Sequence, residues 1–214
     1  MPPCLLTFNA IMQHISLVNV AHDLIKDVLH PGDNAIDATI GNGHDTLFLV
    51  EQVNPSGRVF GFDIQQAAID STGLKVRPCC RTGERVLSNT FLRPECLTLI
   101  HANHAEMAEK IPVQYHGKIS AIMFNLGYLP GGDKNIITQT DTTLTAINIA
   151  SRLLSSKGII TILAYPGHHG GDVETDQVKN WCKQLDKNQF KSSIVYSSGN
   201  KESAPRLFVI RKTH

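Results

Sequence analysis

The 214 residues, 42% of them hydrophobic and 18% charged, suffice for one well-buried domain and are too few for two ordinary ones. Twenty Lys and Arg against nineteen Asp and Glu leave a formal charge of +1. That balance excludes a protein that coats nucleic acid through bulk positive charge, but not one that grips RNA locally.

No apolar run approaches the roughly 20 residues of a membrane span, so no membrane partner is expected. The start, MPPCLLTFNA, lacks a charged n-region and a long apolar stretch, so no secretory signal is expected. Five cysteines without a CxxC spacing fit neither a disulfide framework nor a zinc knuckle, and a reducing compartment is the simple expectation.

In chain order, Val20, Leu24 and Val28 predict a first helix over 16–29, stopped by His30-Pro31-Gly32. A short apolar strand, 35–39, runs into Gly41-Asn42-Gly43-His44-Asp45-Thr46 and a second helix. Arg58 to Asp63 reads as a second strand ending in an acid. Gln65 to Ser71 looks helical, but Gly73, Pro78 and Cys79-Cys80 interrupt the pattern. Lys75, Arg77, Arg81, Arg85 and Arg93 then stand against one acid, Glu84; a solvated loop is the expectation, and an RNA-contact patch the alternative.

Strands are expected at 96–100, 119–124 and 159–164, with a helix over 142–154 between the last two. Val178, Trp181, Cys182 and Leu185 mark one face of a helix after Asp172. Residues 192–196 and 207–211 read as two final strands that pair antiparallel. Alternation of strand and helix predicts an α/β fold with a mostly parallel sheet covered on both faces. The expected layout is an N-terminal extension over 1–15 and a single domain over 16–214.

Every unusual loop follows a strand: 41–46, 63–66, 101–104, 125–134 and 165–171. In such sheets ligands bind beyond the carboxyl ends of the strands, so these loops should converge. The first lacks the third glycine of the G-x-G-x-x-G dinucleotide pattern, and Asp45 would place a carboxylate near a pyrophosphate. Asp63, 20 positions after Gly43, is placed to accept hydrogen bonds from two ribose hydroxyls. A nucleoside cofactor without phosphates, of the kind of S-adenosylmethionine, suits this pattern better than NAD. At 125–134, Asn125 followed by Gly127 and Tyr128 can present an amide, backbone carbonyls and an aromatic face to a nitrogen nucleophile.

The stretches AIDATIGNGHDTLFL, VFGFDIQ, FNLGYLPGGDK and YPGHHGG resemble the class I methyltransferases that act on wobble-uridine side chains in tRNA, some long labelled rRNA methylases. The resemblance runs from about Val20 to the C-terminus and departs at 72–95. It implies a Rossmann-like sheet of seven strands with an antiparallel last strand. It also implies methylation, from S-adenosylmethionine, of the amine of 5-aminomethyl(-2-thio)uridine at position 34 of tRNA, gripped at the anticodon stem-loop. Action on rRNA is the nearest alternative; an NAD-dependent oxidoreductase, and an RNA-binding module without catalysis, are the alternatives of other classes.

By the same resemblance, Asp37, Thr39, Gly41, Asn42, Gly43, His44, Asp45 and Thr46 belong to the methionine end of the cofactor site. Asp63 goes to the ribose, His101, Asn103 and His104 to the adenine, and Asn125 to the reacting methyl, with Ile64, Gln65 and Leu126 also assigned to the cofactor. Gly127, Tyr128, Leu129, Gly131, Gly132, Asp133, Lys134, Tyr165 and His168 fall to the substrate, with Asn125, Tyr128 and Asp133 catalytic. No metal is called for: His101, His104, His168 and His169 complete no recognised ligand spacing. The family is largely bacterial, which implies a cytoplasmic protein; a plant member would act in a plastid or mitochondrion. A homodimer is compatible with all of this.

The reacting amine sets a chemical demand. Titrating near lysine's ~10.4, it would be only about 0.04% neutral at pH 7. The site must therefore favour the neutral form or take the proton away, and Asp133 is the first candidate, with His168 and Tyr165 behind it.

Overall fold

The computed structural model describes residues 16–80, 96–129, 131, 137–168, 170–197 and 203–214, with the side chains of 77–80 left aside. Seven strands form one sheet: β1 Asn34–Asp37, β2 Arg58–Asp63, β3 Leu97–His101, β4 Ile119–Asn125, β5 Leu154–Ala164, β6 Phe190–Tyr196 and β7 Arg206–Lys212. Their order is β3-β2-β1-β4-β5-β7-β6. Pairs among β1 to β5 are parallel, and β7 lies antiparallel between β5 and β6.

Alternation along the strands explains the layering. Ile36, Phe60, Ile122, Ile160 and Phe208 face one side, where α4 (Met107–Lys110), α5 (Thr140–Leu153) and α6 (Gly171–Gln184) supply Met107, Ile147, Ala150 and Val178. Ala35, Val59, Ala121, Ile159 and Leu207 face the other. There α1 (Leu17–Lys26), α2 (His44–Val53) and α3 (Gln66–Cys80) supply Ala21, Ile25, Leu49, Val53 and Val76. Each such large side chain removed from water contributes roughly 1.5–3 kcal/mol, so both stripes of every central strand hold helices in place. That is why the strands read as nearly continuous apolar runs.

Two expectations need correction. The helix after β2 does not break at Gly73 or Pro78; α3 continues to Cys80. Thr72 and Val76 are buried in it, and packing of that face against the sheet outweighs the weak propensity of Gly and Pro. Lys75 therefore lies on a helix rather than a solvated loop, and the stretch 81–95 is outside the described residues. The fifth strand starts at Leu154, five residues early. It pairs with Ile119 and then shifts register before Ile159, with Lys157 at φ 62° in the stretch expected only to connect helix and strand.

The strand order reverses direction between β1 and β4. At that point neighbouring connections leave on opposite faces, and a crevice opens above the carboxyl ends of the two strands.

Candidate functional site

A cavity of about 550 Å³ occupies that crevice. It runs across the strand ends, from Asp63, Ile64, Asn103 and His104 above β2 and β3, past Asn125, to Tyr165 and His168 above β5. No Lys or Arg stands among the described residues that line it.

Its floor is a set of carboxylates holding backbone. Asp63 accepts from the amide of Gly41 at 2.9 Å through Oδ2 and from that of Gln65 at 2.8 Å through Oδ1. Asp37, 1% exposed, accepts from Thr46 Oγ1 at 2.6 Å and from the Thr39 amide at 3.1 Å. Burial, then the charge of Asp45, push its carboxyl up to about 7, against the hydrogen bonds from Thr46 and Thr39. The Thr39 hydroxyl in turn accepts from the Asn125 amide at 2.7 Å. The end of β4 is thereby fastened to the loop after β1.

Gly43 explains the second glycine of the motif. It caps α2 in the left-handed region at φ 74°, and a Cβ there would meet Thr72 Oγ1 of α3 at 2.3 Å. It serves close packing of loop on helix. Asp37, Gly43 and Thr46 thus sit beneath the cavity and shape it, whereas Thr39, Gly41, Asn42, His44 and Asp45 line it. Lys75 Nζ, from α3, donates to the Asn42 carbonyl; the basic side chain secures this loop.

At the β3 end, Asn103 and Glu106 form a reciprocal cap. His104, 7% exposed, is 3.2 Å through Nδ1 from the Ala38 carbonyl. A carbonyl only accepts, so Nδ1 carries the proton. Burial lowers the pKa of the ring and keeps it neutral, which leaves Nε2 a bare acceptor. That atom is buried and has no partner among the described residues. His101 Nε2 lies 2.9 Å from the Ile64 carbonyl, a backbone role that a metal ligand would have to give up. Among the described residues no group of three or more His, Cys, Asp or Glu is arranged to hold a metal ion.

At the other end, Gly127 takes φ 133°, and its amide donates to Thr138 Oγ1 at 3.0 Å while its carbonyl accepts from the Thr138 amide at 2.9 Å. Thr138 Oγ1 donates onward to Glu174 of α6 at 2.8 Å, and Thr143 Oγ1 donates to the other oxygen of Glu174 at 2.7 Å. Glu174 is 3% exposed. Tyr128 stands half out of this turn, 41% exposed, with its ring edge-on to His168 at 6.3 Å. Tyr165 lines the same end, and its phenol is pushed up by burial and then by Asp45.

Of the residues expected for the substrate, Gly127, Tyr128, Leu129, Tyr165 and His168 line the cavity; Gly131 does not. Gly132, Asp133 and Lys134 lie outside the described residues, as does His169. Sequence reasoning missed Ile137, Thr138, Gln139 and Thr142, which also line it. They sit where a loop enters α5, and the pairing of Tyr128 with Ile137 folds them back over β4. It also missed His22, whose Nε2 lies 2.7 Å from Asp45 Oδ1; a lone histidine on a helix gives no spacing signal.

Comparison with known proteins gives a consistent set. The family model described as "Putative rRNA methylase" matches residues 59–211. The chloroplastic tRNA (mnm(5)s(2)U34)-methyltransferase of Arabidopsis thaliana is 39% identical over 165 residues, 75% of this chain and 56% of that protein. The chain thus spans little more than half the length of that curated relative.

A solved structure from Clostridium thermocellum, described as "putative rRNA-methylase", is 36% identical with a TM-score of 0.80, covering 91% of this chain and 96% of the other. A "putative methyltransferase" from Streptococcus mutans, solved in complex with SAH, is 32% identical with a TM-score of 0.75, covering 92% and 98%. Fold, motif order and family model agree: the chain has the Rossmann-like class I methyltransferase fold and belongs to the family described as "Putative rRNA methylase".

Proposed function

We propose that the protein transfers a methyl group from S-adenosylmethionine to the amine of 5-aminomethyl(-2-thio)uridine at wobble position 34 of tRNA. The observation that carries the cofactor half is the lining of the cavity. It is long, lies at the switch point, holds Asp63 and Asp45 and no cation among the described residues. A dinucleotide would bring two phosphates to that lining; a zwitterionic nucleoside with a sulfonium brings positive charge instead. The SAH complex of the similar Streptococcus mutans protein supports this choice. The name of the Arabidopsis thaliana relative supports the substrate, and its plastid location makes that compartment the first to examine; a bacterial member would act in the cytoplasm.

The residues present fit such a molecule. Asp63 keeps lone pairs for ribose hydroxyls beyond its two backbone donors. His104 Nε2, buried and bare, suits the amino group of an adenine. Asp45, whose charge raises the Tyr165 phenol, stands towards the β5 end, where an α-ammonium would be met by its carboxylate. The cofactor supplies an electrophilic methyl on sulfur. In-line displacement there needs little beyond orientation, so the contribution of the protein is placement of the amine.

Asn125, on the strand end between the two halves, would take one hydrogen of that amine with its side-chain oxygen and turn the nitrogen lone pair towards the methyl. Tyr128 offers an exposed ring for stacking a base turned out of an anticodon loop. Asp133 would attract the protonated amine and pass its proton to solvent. An ionised neighbour first raises the pKa of the amine, so one proton must leave through Asp133 to solvent before the nitrogen has a lone pair to attack with. After S-adenosylhomocysteine departs, the methylated ammonium gives up its own proton to solvent.

The deciding experiment incubates the protein with labelled S-adenosylmethionine and tRNA that lacks the final methyl, followed by digestion to nucleosides. Label in 5-methylaminomethyl(-2-thio)uridine is the expected result; label on ribosomal RNA alone, or on adenine, overturns the substrate. Asp133→Asn should cut turnover strongly and leave cofactor affinity nearly unchanged. Equal loss of both would remove Asp133 from the substrate side.

A further inference from the structure

Helix α1 lies outside the cavity, yet one of its side chains reaches a residue that lines it. His22 Nε2 is 2.7 Å from Asp45 Oδ1, across 23 positions of sequence. The imidazole lies flat on the Phe48 ring, with centroids 3.8 Å apart and planes within 6°. Both partners are mostly buried, with side chains 20% and 12% exposed.

The arrangement follows from two helical stripes. Leu17, Ala21 and Ile25 of α1 are buried, and packing of α1 over β5 and β7 turns the neighbouring stripe, His22 and Lys26, towards α2. There Asp45 and Phe48, three positions apart, face it together; Lys26 Nζ stands 5.9 Å over the Phe48 ring. A carboxylate oxygen beside a ring nitrogen can only accept, so Nε2 carries the proton. One oxygen of Asp45 is thereby occupied from outside the cavity, and the stacked ring fixes the direction of the bond.

We infer that His22 is a positioning residue for the amino-acid end of the bound cofactor: it holds Asp45 Oδ1 so that the other carboxylate oxygen is presented to the α-ammonium of the methionine moiety. This inference rests on the cofactor reading above. A freely rotating aspartate in the first turn of α2 would turn towards solvent or towards the helix N-terminal amides. Held by His22, it stays in the wall of the cavity. Oriented acceptors of this kind depend on the group behind them much as metal ligands depend on theirs.

The test compares two ligands that differ only at that end. S-Adenosylhomocysteine carries the amino acid; 5′-methylthioadenosine carries the same nucleoside and thioether without it. His22→Phe keeps an aromatic ring on Phe48 and removes the donor. It should weaken S-adenosylhomocysteine about tenfold, the loss expected for a hydrogen bond to a charged group, and leave 5′-methylthioadenosine within about twofold. His22→Gln, which returns a donor near the position of Nε2, should recover most of the loss. Equal weakening of both ligands, or of neither, overturns the role of His22 while the cofactor reading stands. Failure of the unaltered protein to bind S-adenosylhomocysteine overturns the cofactor reading and this inference with it.

Discussion

The two ends of the cavity are held by different means. At the glycine-loop end, two carboxyl groups tie down the loops around them: Asp37 takes the Thr39 amide and the Thr46 hydroxyl, and Asp63 takes the amides of Gly41 and Gln65. At the other end the turn after β4 hangs from a side-chain relay, Gly127 to Thr138 to Glu174, in which the last member belongs to a helix 36 positions further on. A ligand that is the same in every turnover suits the first construction, because preformed donors and charges need no rearrangement. The base of the proposed RNA substrate, which would enter and leave with a large molecule, suits the second, whose exposed Tyr128 has one covalent neighbour pinned.

Four measurements sharpen or break this contrast. The largest effect is expected from Gly43→Val. A left-handed β-branched residue costs roughly 1–2 kcal/mol, and the meeting with Thr72 adds overpacking of about 1–3 kcal/mol. Thermal unfolding should drop by several degrees or more. An unchanged midpoint would mean that the loop is loosely held. Next, Asp63→Ala removes two charge-assisted backbone bonds and the expected ribose acceptor. Calorimetry with S-adenosylhomocysteine should then show loss of about a hundredfold or more, and RNA affinity should stay near its original value. Parallel loss of both ligands would erase the division into two ends.

The third concerns pH. Asp37 keeps its proton in the folded chain up to about 7, against a reference of 3.8. Between those values the folded state binds a proton that the unfolded chain has lost, so this group lowers stability as pH rises through that window and contributes no further slope above it. Denaturant unfolding from pH 5 to 8 should show the native protein losing on the order of 2 kcal/mol more than Asp37→Asn. Parallel profiles would place the carboxyl in ordinary ionisation.

The smallest effect is expected from Glu174→Gln. It retains one acceptor for a threonine and replaces the other with a donor, so the relay to Gly127 is disturbed without leaving a void. Turnover on tRNA should fall about tenfold with cofactor affinity within about twofold. A cofactor loss as large as the turnover loss would show that the two ends are one rigid unit.

Most of the fold was legible because its cause is local. Buried strands announce themselves as short apolar runs, and the crossover helices as one apolar face. What resisted were places where packing overrules propensity. α3 runs through Gly73 and Pro78 because Thr72 and Val76 bury against the sheet, and β5 starts early because Leu154 finds Ile119. The floor of the site was legible too. Gly41, Gly43, Asp37 and Asp63 lie within 27 positions, and a strand, a tight loop and a helix start leave few arrangements for them. The resemblance to wobble-uridine methyltransferases rested on these stretches together with FNLGYLPGGDK and YPGHHGG, the first of these two being the most specific part.

By itself, then, the sequence determined a mostly parallel α/β sheet, the convergence of its loops at the carboxyl edge, and the acids Asp37 and Asp63 at that edge. Only the tertiary structure decided which distant side chains hold those loops: His22 on Asp45, Lys75 on Asn42, Glu174 behind Gly127, and the turned-back segment from Ile137 to Thr142. The physical reason is one of range. Periodicity and turn chemistry act over a few residues and leave a mark in the order of amino acids. A hydrogen bond from a neighbouring helix depends on how two packed elements are rotated against each other, and that rotation is set by the whole core.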